Sequence, residues 1–336
     1  MSELNKIALK ILSNGKGILA ADESNGTMTK RLESVNVPSS PENRLLFRET
    51  LFSASGMKDF IGGVILYDET INQTSSLKQT IPELISKSGA VPGIKVDTGA
   101  KILAGSDEEK ITEGLDGLRE RLKNYYKLGA RFTKWRGVYN ISDKYPSKLS
   151  LHSNAHALAR YSALVQECGM VPIVEPEVLM DGDHSAETCF NKTSEVIKKC
   201  FEELMIHKID LSGIILKPNM ILAGTTFNKK ISSDEIASLT LKCLKENVPT
   251  DVPGIAFLSG GQTEVEATEN LNLINKYNDT KFIMTYSYGR ALQQSALKFC
   301  SKDINNTSGT QKVFNHRANM CTLAAQGKWT VELESQ

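Results

Sequence analysis

Lys217 is the residue in this sequence best suited to covalent chemistry. It follows the apolar run 213–216 and precedes Pro218, which places a lysine at the end of a buried segment. An unperturbed lysine has a pKa near 10.4 and is a poor nucleophile at neutral pH. Desolvation, or a neighbouring cation such as Lys134, would favour the neutral amine and allow Schiff-base formation with a ketone. The alternative is a lysine whose ammonium group extends out of the fold into water.

Charged residues also stand at the ends of several other apolar runs. For any one of them, an ordinary ion pair at the end of a strand is an equally good explanation. Burying unpaired charges is expensive, so packing alone explains the whole set poorly, and together the residues predict one shared site. These residues are Asp22, Glu23, Lys95, Lys134, Arg136, Glu175, Glu177 and Arg290.

Two loops combine small and cationic residues in a pattern that suits an anion. Segment 259–261 reads Ser-Gly-Gly after one apolar run, and segment 287–290 reads Ser-Tyr-Gly-Arg after the next. Glycines leave backbone N–H groups open to an anion, and arginine adds a bidentate fork. A plain glycine-rich turn would explain one such loop, whereas two in succession predict a phosphate site.

Two groups of metal-ligand residue types occur, and neither predicts a metal site. Asp181 and His184 have no matching histidine or cysteine cluster to complete a coordination sphere. His152 and His156 share a helix face at i, i+4 but lack the glutamate of the H-E-x-x-H zinc motif. A solvated or packed histidine pair is the preferred interpretation, so we expect no metal and no cofactor.

Eight short apolar runs supply the elements that must position these residues. They do not alternate polar and apolar positions, which is typical of strands buried on both faces of a parallel sheet. Most of the gaps between them are long enough for a loop, a helix and a return loop. The runs are 17–21, 62–67, 91–96, 131–135, 171–175, 213–217, 254–258 and 281–286.

Helix-start signals fall in the gaps between the runs. Ser232 and Thr263 each precede a glutamate by three residues, the pattern of a capping box, and Ser40 stands before Pro41 as an N-cap. Eight alternating strand–helix units predict an α/β fold, a single-domain (β/α)8 TIM barrel. An open doubly wound sheet uses the same units, but no G-x-G-x-x-G follows the first run.

The barrel interpretation makes further predictions about organisation. No linker-like stretch divides the chain, so we expect residues 1–336 to form one barrel, with residues 327–336 a short, frayed C-terminal tail. Residues 301–309 are expected to form a polar loop. In such barrels catalytic groups lie at the C-terminal strand ends, and phosphates bind in the last two strand–helix loops. The charged residues and the two glycine loops fall at those positions.

Composition excludes several classes of protein. The 336 residues include 40 Lys+Arg and 39 Asp+Glu, a balance that argues against a nucleic-acid-binding protein. No uncharged apolar run approaches the roughly 18 residues of a transmembrane helix, and lysines interrupt the first 21 residues where a secretory signal would lie. The six scattered cysteines contain no C-x-x-C pair and fit reduced thiols. We therefore expect a soluble, cytoplasmic protein with a small-molecule partner, and neither nucleic acid nor membrane.

From about Lys16 to Lys328 the sequence resembles the class I, Schiff-base fructose-bisphosphate aldolases. Each motif alone would be weak, but all occur in order and at family-like spacing. They are Gly17-Ile-Leu-Ala-Ala-Asp-Glu-Ser24, Gly62-Gly-Val-Ile-Leu, Gly93-Ile-Lys-Val-Asp97, Lys134-Trp-Arg136, Val171-Pro-Ile-Val-Glu-Pro-Glu177, Leu216-Lys-Pro-Asn-Met220, Phe257-Leu-Ser-Gly-Gly-Gln262 and Ser287-Tyr-Gly-Arg290. The resemblance implies reversible cleavage of fructose 1,6-bisphosphate to dihydroxyacetone phosphate and glyceraldehyde 3-phosphate, in glycolysis and gluconeogenesis.

The resemblance also implies roles for individual residues. Lys217 would form the Schiff base with the C2 ketone, and Glu175 would act as acid and base on the carbinolamine and on the C4 hydroxyl. Asp22 and Lys134 would hold hydroxyls and stabilise charge, and Glu177 would tune the neighbouring lysine. The implied substrate-binding residues are Ser259, Gly260, Gly289 and Arg290 for the C1 phosphate, Ser24, Thr27 and Lys95 for the other phosphate, and Arg136, Gly261 and Ser287 beside them.

One family feature is not carried over to this sequence. Familiar animal members end in a mobile tail whose terminal tyrosine assists proton exchange on the enamine, whereas no tyrosine follows Tyr288 here. Two other functions remain open at this point: another Schiff-base aldolase or transaldolase for a different sugar phosphate, and a non-catalytic binding role. The resemblance also implies a homo-oligomer, a homotetramer.

Overall fold

A computed structural model describes residues 1–335, and its strands include all eight predicted by the apolar runs. The strands are β1 (Gly17–Ala20), β2 (Ile61–Leu66), β3 (Val91–Lys95), β4 (Gly99–Ile102), β5 (Lys110–Glu113), β6 (Phe132–Tyr139), β7 (Val171–Val178), β8 (Ile215–Leu216), β9 (Gly254–Phe257) and β10 (Ile283–Tyr288). Eight of them pair in parallel and close in the order β1-β10-β9-β8-β7-β6-β3-β2. This closed parallel barrel confirms the (β/α)8 prediction and excludes the open sheet.

Helices precede, connect and follow the barrel strands. They are α1 (Glu3–Leu12), α2 (Asn25–Glu33), α3 (Pro41–Phe52), α4 (Met57–Phe60), α5 (Asp68–Ile71), α6 (Ile81–Lys87), α7 (Leu118–Lys127), α8 (Lys148–Glu167), α9 (Ala186–Ile206), α10 (Ser233–Asn247), α11 (Glu264–Tyr277), α12 (Arg290–Cys300) and α13 (Thr307–Ala325). Three 3-10 turns, Ser13–Gly15, Leu211–Gly213 and Val331–Ser335, complete the elements. Within residues 1–335, none of the helices has the length and apolar character to span a bilayer.

The three predicted helix starts are confirmed. Ser232 and Thr263 each accept the backbone N–H three residues on, while the glutamate there accepts the backbone N–H of the capping residue. These reciprocal bonds satisfy N–H groups that have no partner inside the helix. Ser40 accepts the N–H of Asn43 and Pro41 occupies the first turn.

The core has two layers, one inside the barrel and one between the barrel and its helices. Inside, Phe132 packs with Val91, Val171 and Ile173, all at 5% exposure or less. Its ring lies against Gly93, where an added Cβ would come within 2.4 Å of the ring. The glycine therefore makes room for the aromatic ring inside a closed barrel.

Helix α1 packs against the barrel interior cluster, a feature that no strand or helix signal predicted. Its Ile11 and Leu12 are fully buried with the apolar side chains of the barrel interior. At the start of β2, a Cβ on Gly62 would lie 1.8 Å from the carbonyl oxygen of Ile11, and one on Gly254 would lie 2.7 Å from Leu12 Cδ1. These glycines allow α1 to approach the strand backbone closely.

Three further details differ from the sequence predictions. Strands β4 and β5 form an antiparallel hairpin outside the barrel sheet, where no strand was expected. The predicted polar loop 301–309 ends early, because Asn306 caps α13 and residues 307–309 form its first turn. The expected frayed tail is wrong for residues 327–335: Trp329 is 5% exposed, and Glu334 accepts two hydrogen bonds from buried Arg317, at 2.7 and 2.8 Å.

Candidate active site

The C-terminal ends of the barrel strands surround a cavity of about 450 Å³. Strand direction brings these ends together, since all eight barrel strands run parallel. Fourteen of the predicted site residues line this cavity: Asp22, Ser24, Thr27, Lys95, Lys134, Arg136, Glu175, Glu177, Lys217, Ser259, Gly260, Ser287, Gly289 and Arg290.

Gly261 is the predicted site residue that does not line the cavity. It has a φ of +77°, and a Cβ there would meet Met180 at 3.0 Å. Gly261 is therefore the turn residue that carries the chain away from the cavity towards Thr263, the N-cap of α11.

Four buried charges form a chain in the centre of the cavity. Lys217 Nζ lies 3.1 Å from Glu175 Oε1, and the other oxygen of Glu175 lies 3.3 Å from Lys134 Nζ. Lys134 Nζ in turn lies 2.7 Å from Asp22 Oδ2. The four side chains are each 12% exposed or less. Lysine nitrogens and carboxyl groups therefore alternate, with Glu175 between the two lysines.

This alternation sets the protonation of the carboxylates. Burial alone would raise the pKa of Asp22, but the cations Lys134 and Lys217 outweigh it and hold that pKa well below its usual range. Burial likewise opposes ionisation of Glu175, and the same two lysines lower its pKa nonetheless. The pKa of Lys134 is raised, because Asp22 and Glu175 outweigh the burial that would lower it. Near neutral pH these three groups are charged.

Glu177 has the opposite shift from Glu175, two residues earlier on β7. Burial raises the pKa of Glu177, and the Glu175 carboxylate adds to the shift against the lowering effect of Arg136. Arg136 donates to Glu177 Oε2 at 3.0 Å, and its side chain is 47% exposed. Two carboxyls with diverging pKa values in one cavity are typical of acid–base chemistry.

The loops after β9 and β10 contain the residues that the sequence predicted as anion donors. Gly289 is the N-cap residue of α12 and has no side chain that could accept a hydrogen bond. The first backbone N–H groups of that helix are therefore not bonded to an N-cap side chain. Arg290 opens the helix and lines the cavity, and the hydroxyl of buried Ser287 has no hydrogen-bond partner within residues 1–335. In the other loop a Cβ on Gly260 would lie 3.3 Å from Glu177 Oε1, so this loop packs against the Glu177 carboxyl.

A second cationic region lies across the barrel from that loop. In the barrel order β3 is four places from β9, so Lys95 at the end of β3 stands opposite segment 259–261. Lys95 Nζ lies 3.3 Å from Asp97 Oδ1. Ser24 and Thr27, at the start of α2, line the same cavity. Lys217 follows β8, which in the barrel order lies between β9, the strand before segment 259–261, and β3, the strand that carries Lys95.

Eight cavity residues were given no role from the sequence, namely Ala20, Glu23, Arg31, Asp97, Gly99, Ala100, Thr112 and Leu258. Arg31 pairs with Glu23, yet its Nε and Nη2 atoms are buried and have no hydrogen-bond partner in the described chain. Thr112 belongs to the unpredicted hairpin and donates to the carbonyl of Arg136 at 2.6 Å. Glu23 was included in the set of strand-end charges by its position, although no role was predicted for it. Arg31 and Thr112 carried no such mark.

The two groups of metal-ligand residue types lie outside the cavity. His184 is buried, and neither ring nitrogen has a hydrogen-bond partner among the described residues. His152 and His156 lie on α8 and stack with ring centroids 5.9 Å apart. Their Nδ1 atoms both lie close to Glu203 on α9, so this pair is not simply solvated.

The cavity combines a buried lysine, ionisable carboxyl groups and cationic side chains. A buried lysine beside a carboxylate that relays its proton can attack a ketone, and the cations on either side can hold a dianionic substrate. This chemistry needs no resident group beyond the side chains already present.

The sequence matches the protein family described as fructose-bisphosphate aldolase class-I over residues 3–336. It is 47% identical over 330 residues to a probable fructose-bisphosphate aldolase class 1 of Xylella fastidiosa, covering 98% of this chain and 99% of that protein. It is 48% identical to fructose-bisphosphate aldolase C of Rattus norvegicus, covering 97% and 91% respectively.

The fold is also similar to a solved structure. The fructose-bisphosphate aldolase of Plasmodium falciparum, solved with TRAP and a small-molecule inhibitor, superposes with a TM-score of 0.96. The two chains are 43% identical, and the match covers 98% of this chain and 95% of that one.

Proposed function

Because this chain belongs to the class I fructose-bisphosphate aldolase family, we propose that Lys217 is the lysine through which it acts on its substrate. The enzyme is a carbon–carbon lyase that reversibly cleaves fructose 1,6-bisphosphate to dihydroxyacetone phosphate and glyceraldehyde 3-phosphate, in glycolysis and gluconeogenesis. Class I enzymes carry out this cleavage through a Schiff base between a lysine and the substrate ketone.

Schiff-base formation begins when Lys217 gives a proton to the Glu175 carboxylate and its neutral amine attacks C2 of the open-chain sugar. Glu175 passes that proton to the developing alkoxide and takes a proton from the attacking nitrogen, which gives the neutral carbinolamine. Glu175 then gives this second proton to the same hydroxyl, which leaves as water while the nitrogen lone pair forms the iminium. The 3.1 Å contact between Lys217 and Glu175 supports this pairing, because proton transfer needs hydrogen-bond reach.

Cleavage then moves one electron pair towards the iminium. Glu175 takes the proton of the C4 hydroxyl, C4 becomes the aldehyde of glyceraldehyde 3-phosphate, and the C3–C4 bonding pair forms an enamine. One proton added to C3, balancing the one that Glu175 took from the C4 hydroxyl, regenerates the iminium. Addition of water at C2 then releases dihydroxyacetone phosphate and restores the lysine amine, so the water lost in the first stage is returned.

A single observation carries this assignment. Glu175 Oε2 is buried and has no hydrogen-bond partner in the described part of the chain, although Lys134 Nζ is 3.3 Å away. A buried acceptor without a partner is costly unless a ligand completes it. The substrate C4 hydroxyl is the donor we assign to it.

The other charged residues are assigned to positioning and substrate binding. Lys134 and Asp22, in contact at 2.7 Å, would hold the substrate hydroxyls, and Glu177 would tune the neighbouring lysine. The C1 phosphate would bind Ser259, Gly260, Gly289 and Arg290, with Ser287 and Gly261 in the same two loops. The other phosphate would bind Ser24, Thr27 and Lys95, with Arg136 and Arg31 contributing positive charge nearby.

Borohydride trapping tests the lysine assignment. Reducing the enzyme with dihydroxyacetone phosphate present should fix one adduct per chain, and peptide mass mapping should place it on Lys217. A Lys217→Met variant should fold, lose steady-state cleavage and trap no adduct. A Lys134→Met variant serves as the matched control, because it should still carry its adduct on Lys217.

Several results would contradict the proposal. They are an adduct on another lysine, turnover of Lys217→Met near that of the parent, or activity lost to a metal chelator. Substrate comparison separates the rival aldolases: fructose 1,6-bisphosphate should be cleaved with a higher kcat/KM than fructose 1-phosphate, and fructose 6-phosphate should be poorest. Equal rates on a monophosphate would favour the alternative function.

Assembly and location are proposed from the family resemblance alone. We propose a homotetramer in the cytoplasm; one relative, from Arabidopsis thaliana, is named as cytosolic. Light scattering on the eluted peak of a sizing column should give four times the chain mass of 37.0 kDa. A monomer mass at working concentration would overturn the tetramer.

A further inference from the structure

A cluster of three histidines and one buried glutamate lies outside the barrel mouth. His152 and His156 stand on α8, Glu203 stands on α9, and His207 follows the end of α9. His152 and His156 are spaced i, i+4 on α8, and Glu203 and His207 have the same spacing at the C-terminal end of α9. The two residues of each pair therefore lie on the same side of their helix. The two helices pack against each other, and the Glu203 side chain is only 4% exposed between them.

The ligand atoms are spaced as a small coordination sphere requires. His156 Nδ1 lies 3.4 Å from Glu203 Oε2, and His152 Nδ1 lies 3.2 Å from Glu203 Oε1. His156, Glu203 and His207 each offer one ligand atom, and these three atoms all lie within 4.8 Å of one another. Tetrahedral zinc with bonds of about 2.0–2.2 Å separates its ligand atoms by roughly 3.3 Å. Small side-chain adjustments would therefore close the site.

The backbone fixes the orientation of one histidine. His207 Nδ1 lies 2.9 Å from the carbonyl oxygen of Glu203, and a carbonyl accepts only from a protonated nitrogen. His207 Nε2 is thereby left with its lone pair free. Metal-ligating histidines are oriented in this way, by a hydrogen bond from the other ring nitrogen.

We propose that His156, Glu203 and His207 bind one divalent transition-metal ion such as Zn²⁺, with His152 or water completing the sphere. Imidazole and carboxylate ligands suit this class of ion. The sequence predicted no metal at the pair on α8, because the pattern lacked the glutamate of the H-E-x-x-H motif. A carboxylate on α9 and a histidine directly after that helix, about 50 residues further along the chain, supply the other ligands.

The site is separate from the cavity that holds Lys217. None of its ligands lines that cavity, so the ion would link α8 to α9 and take no part in carbon–carbon cleavage. The Lys199 ammonium lies 3.1 Å from Glu203 Oε1 and competes for this carboxylate. Replacing Lys199 by an uncharged residue should therefore strengthen metal binding. If the histidines bound the ion without Glu203, the same replacement would not strengthen binding.

Metal binding to the full-length enzyme tests the proposal directly. After chelator treatment and dialysis, Zn²⁺ titration followed by calorimetry should give one ion per chain. His156→Ala and His207→Ala should each weaken binding at least about ten-fold, and Lys199→Met should tighten it. His316→Ala is the matched control, because His316 lies on α13 and should leave the affinity unchanged.

Cobalt substitution keeps the test independent of variant folding. The wild-type enzyme with one equivalent of Co²⁺ should show the visible absorption of tetrahedral coordination, and Zn²⁺ should remove it. Cleavage of fructose 1,6-bisphosphate should be the same before and after chelation. No Co²⁺ absorption, no stoichiometric Zn²⁺ binding, or equal weakening by His316→Ala would overturn the site.

Discussion

Replacing Glu175 by glutamine perturbs the charge chain at its centre, because this side chain contacts both Lys217 and Lys134. Glutamine keeps nearly the same shape but carries no charge and cannot relay a proton. The change therefore removes the proposed acid–base function and leaves the positions of the neighbouring groups similar. Both carbinolamine dehydration and C4 deprotonation should slow.

The size of the effect follows from the two contacts. At separations of 3.1 and 3.3 Å and an effective dielectric of about 20, each lysine–carboxylate attraction is about 5 kcal/mol before desolvation. Removing one partner of a buried pair lowers the free energy of unfolding by about 3–5 kcal/mol. Loss of a positioned acid–base group lowers rates by about 10² to 10⁴, or roughly 2.7–5.4 kcal/mol of barrier.

The assay measures both quantities on the same preparation. We expect kcat/KM for fructose 1,6-bisphosphate to fall by about 10² to 10⁴ in Glu175→Gln, and the rate of borohydride trapping at Lys217 to fall with it. Urea denaturation gives the free energy of unfolding. Glu195→Gln is the matched control, because that side chain is 49% exposed and its ion pair with Lys192 is 3.8 Å long.

A Glu175→Gln variant that is folded by circular dichroism and keeps kcat/KM within ten-fold of the wild type would contradict the acid–base role of Glu175. Glu175→Asp gives a second measure should the glutamine variant be too unstable. Its shorter carboxylate retains the charge, so stability should recover more than turnover. Full recovery of both would contradict a role that depends on reach.

Two further changes test other parts of the structure. Glu177 has a raised pKa in the fold, so its contribution to stability is present below the unfolded pKa and is lost as pH rises through the folded value. Urea denaturation from about pH 4.5 upwards should therefore show Glu177→Gln gaining stability relative to the wild type as the pH increases. Gly62→Ala should lower the free energy of unfolding by roughly 3 kcal/mol, because its Cβ would meet the carbonyl of Ile11 at 1.8 Å.

Each of these changes has a control that shares its chemistry. Glu187→Gln alters an exposed glutamate and should follow the wild-type pH profile of stability. Gly26→Ala adds the same methyl group where no atom lies within 4 Å, so thermal or urea unfolding should change little. A Gly62→Ala variant as stable as Gly26→Ala would show that α1 is not packed tightly against the barrel.

Local patterns in the sequence were sufficient for the barrel and for most of its active-site residues. Parallel strands buried on both faces leave continuous apolar runs, and charged residues at their ends have few structural explanations. Lys217 and Glu175 could therefore be identified as candidates from the sequence alone. The caps at Ser232 and Thr263 were equally local, because each depends on atoms three residues apart.

Contacts between distant segments were decided only by the tertiary structure. The sequence suggested Lys134 as the neighbour acting on Lys217, whereas Glu175 lies between them and contacts both lysines. Arg31 enters the cavity from a helix, where no strand-end signal marks it. Helix α1 packs against the barrel interior, which is formed by residues remote from it in the chain. Glu203, the acid beside the histidines of α8, also comes from a remote segment. Spacing along a chain reports which residues share one element, but distance across the barrel depends on how strands and helices pack.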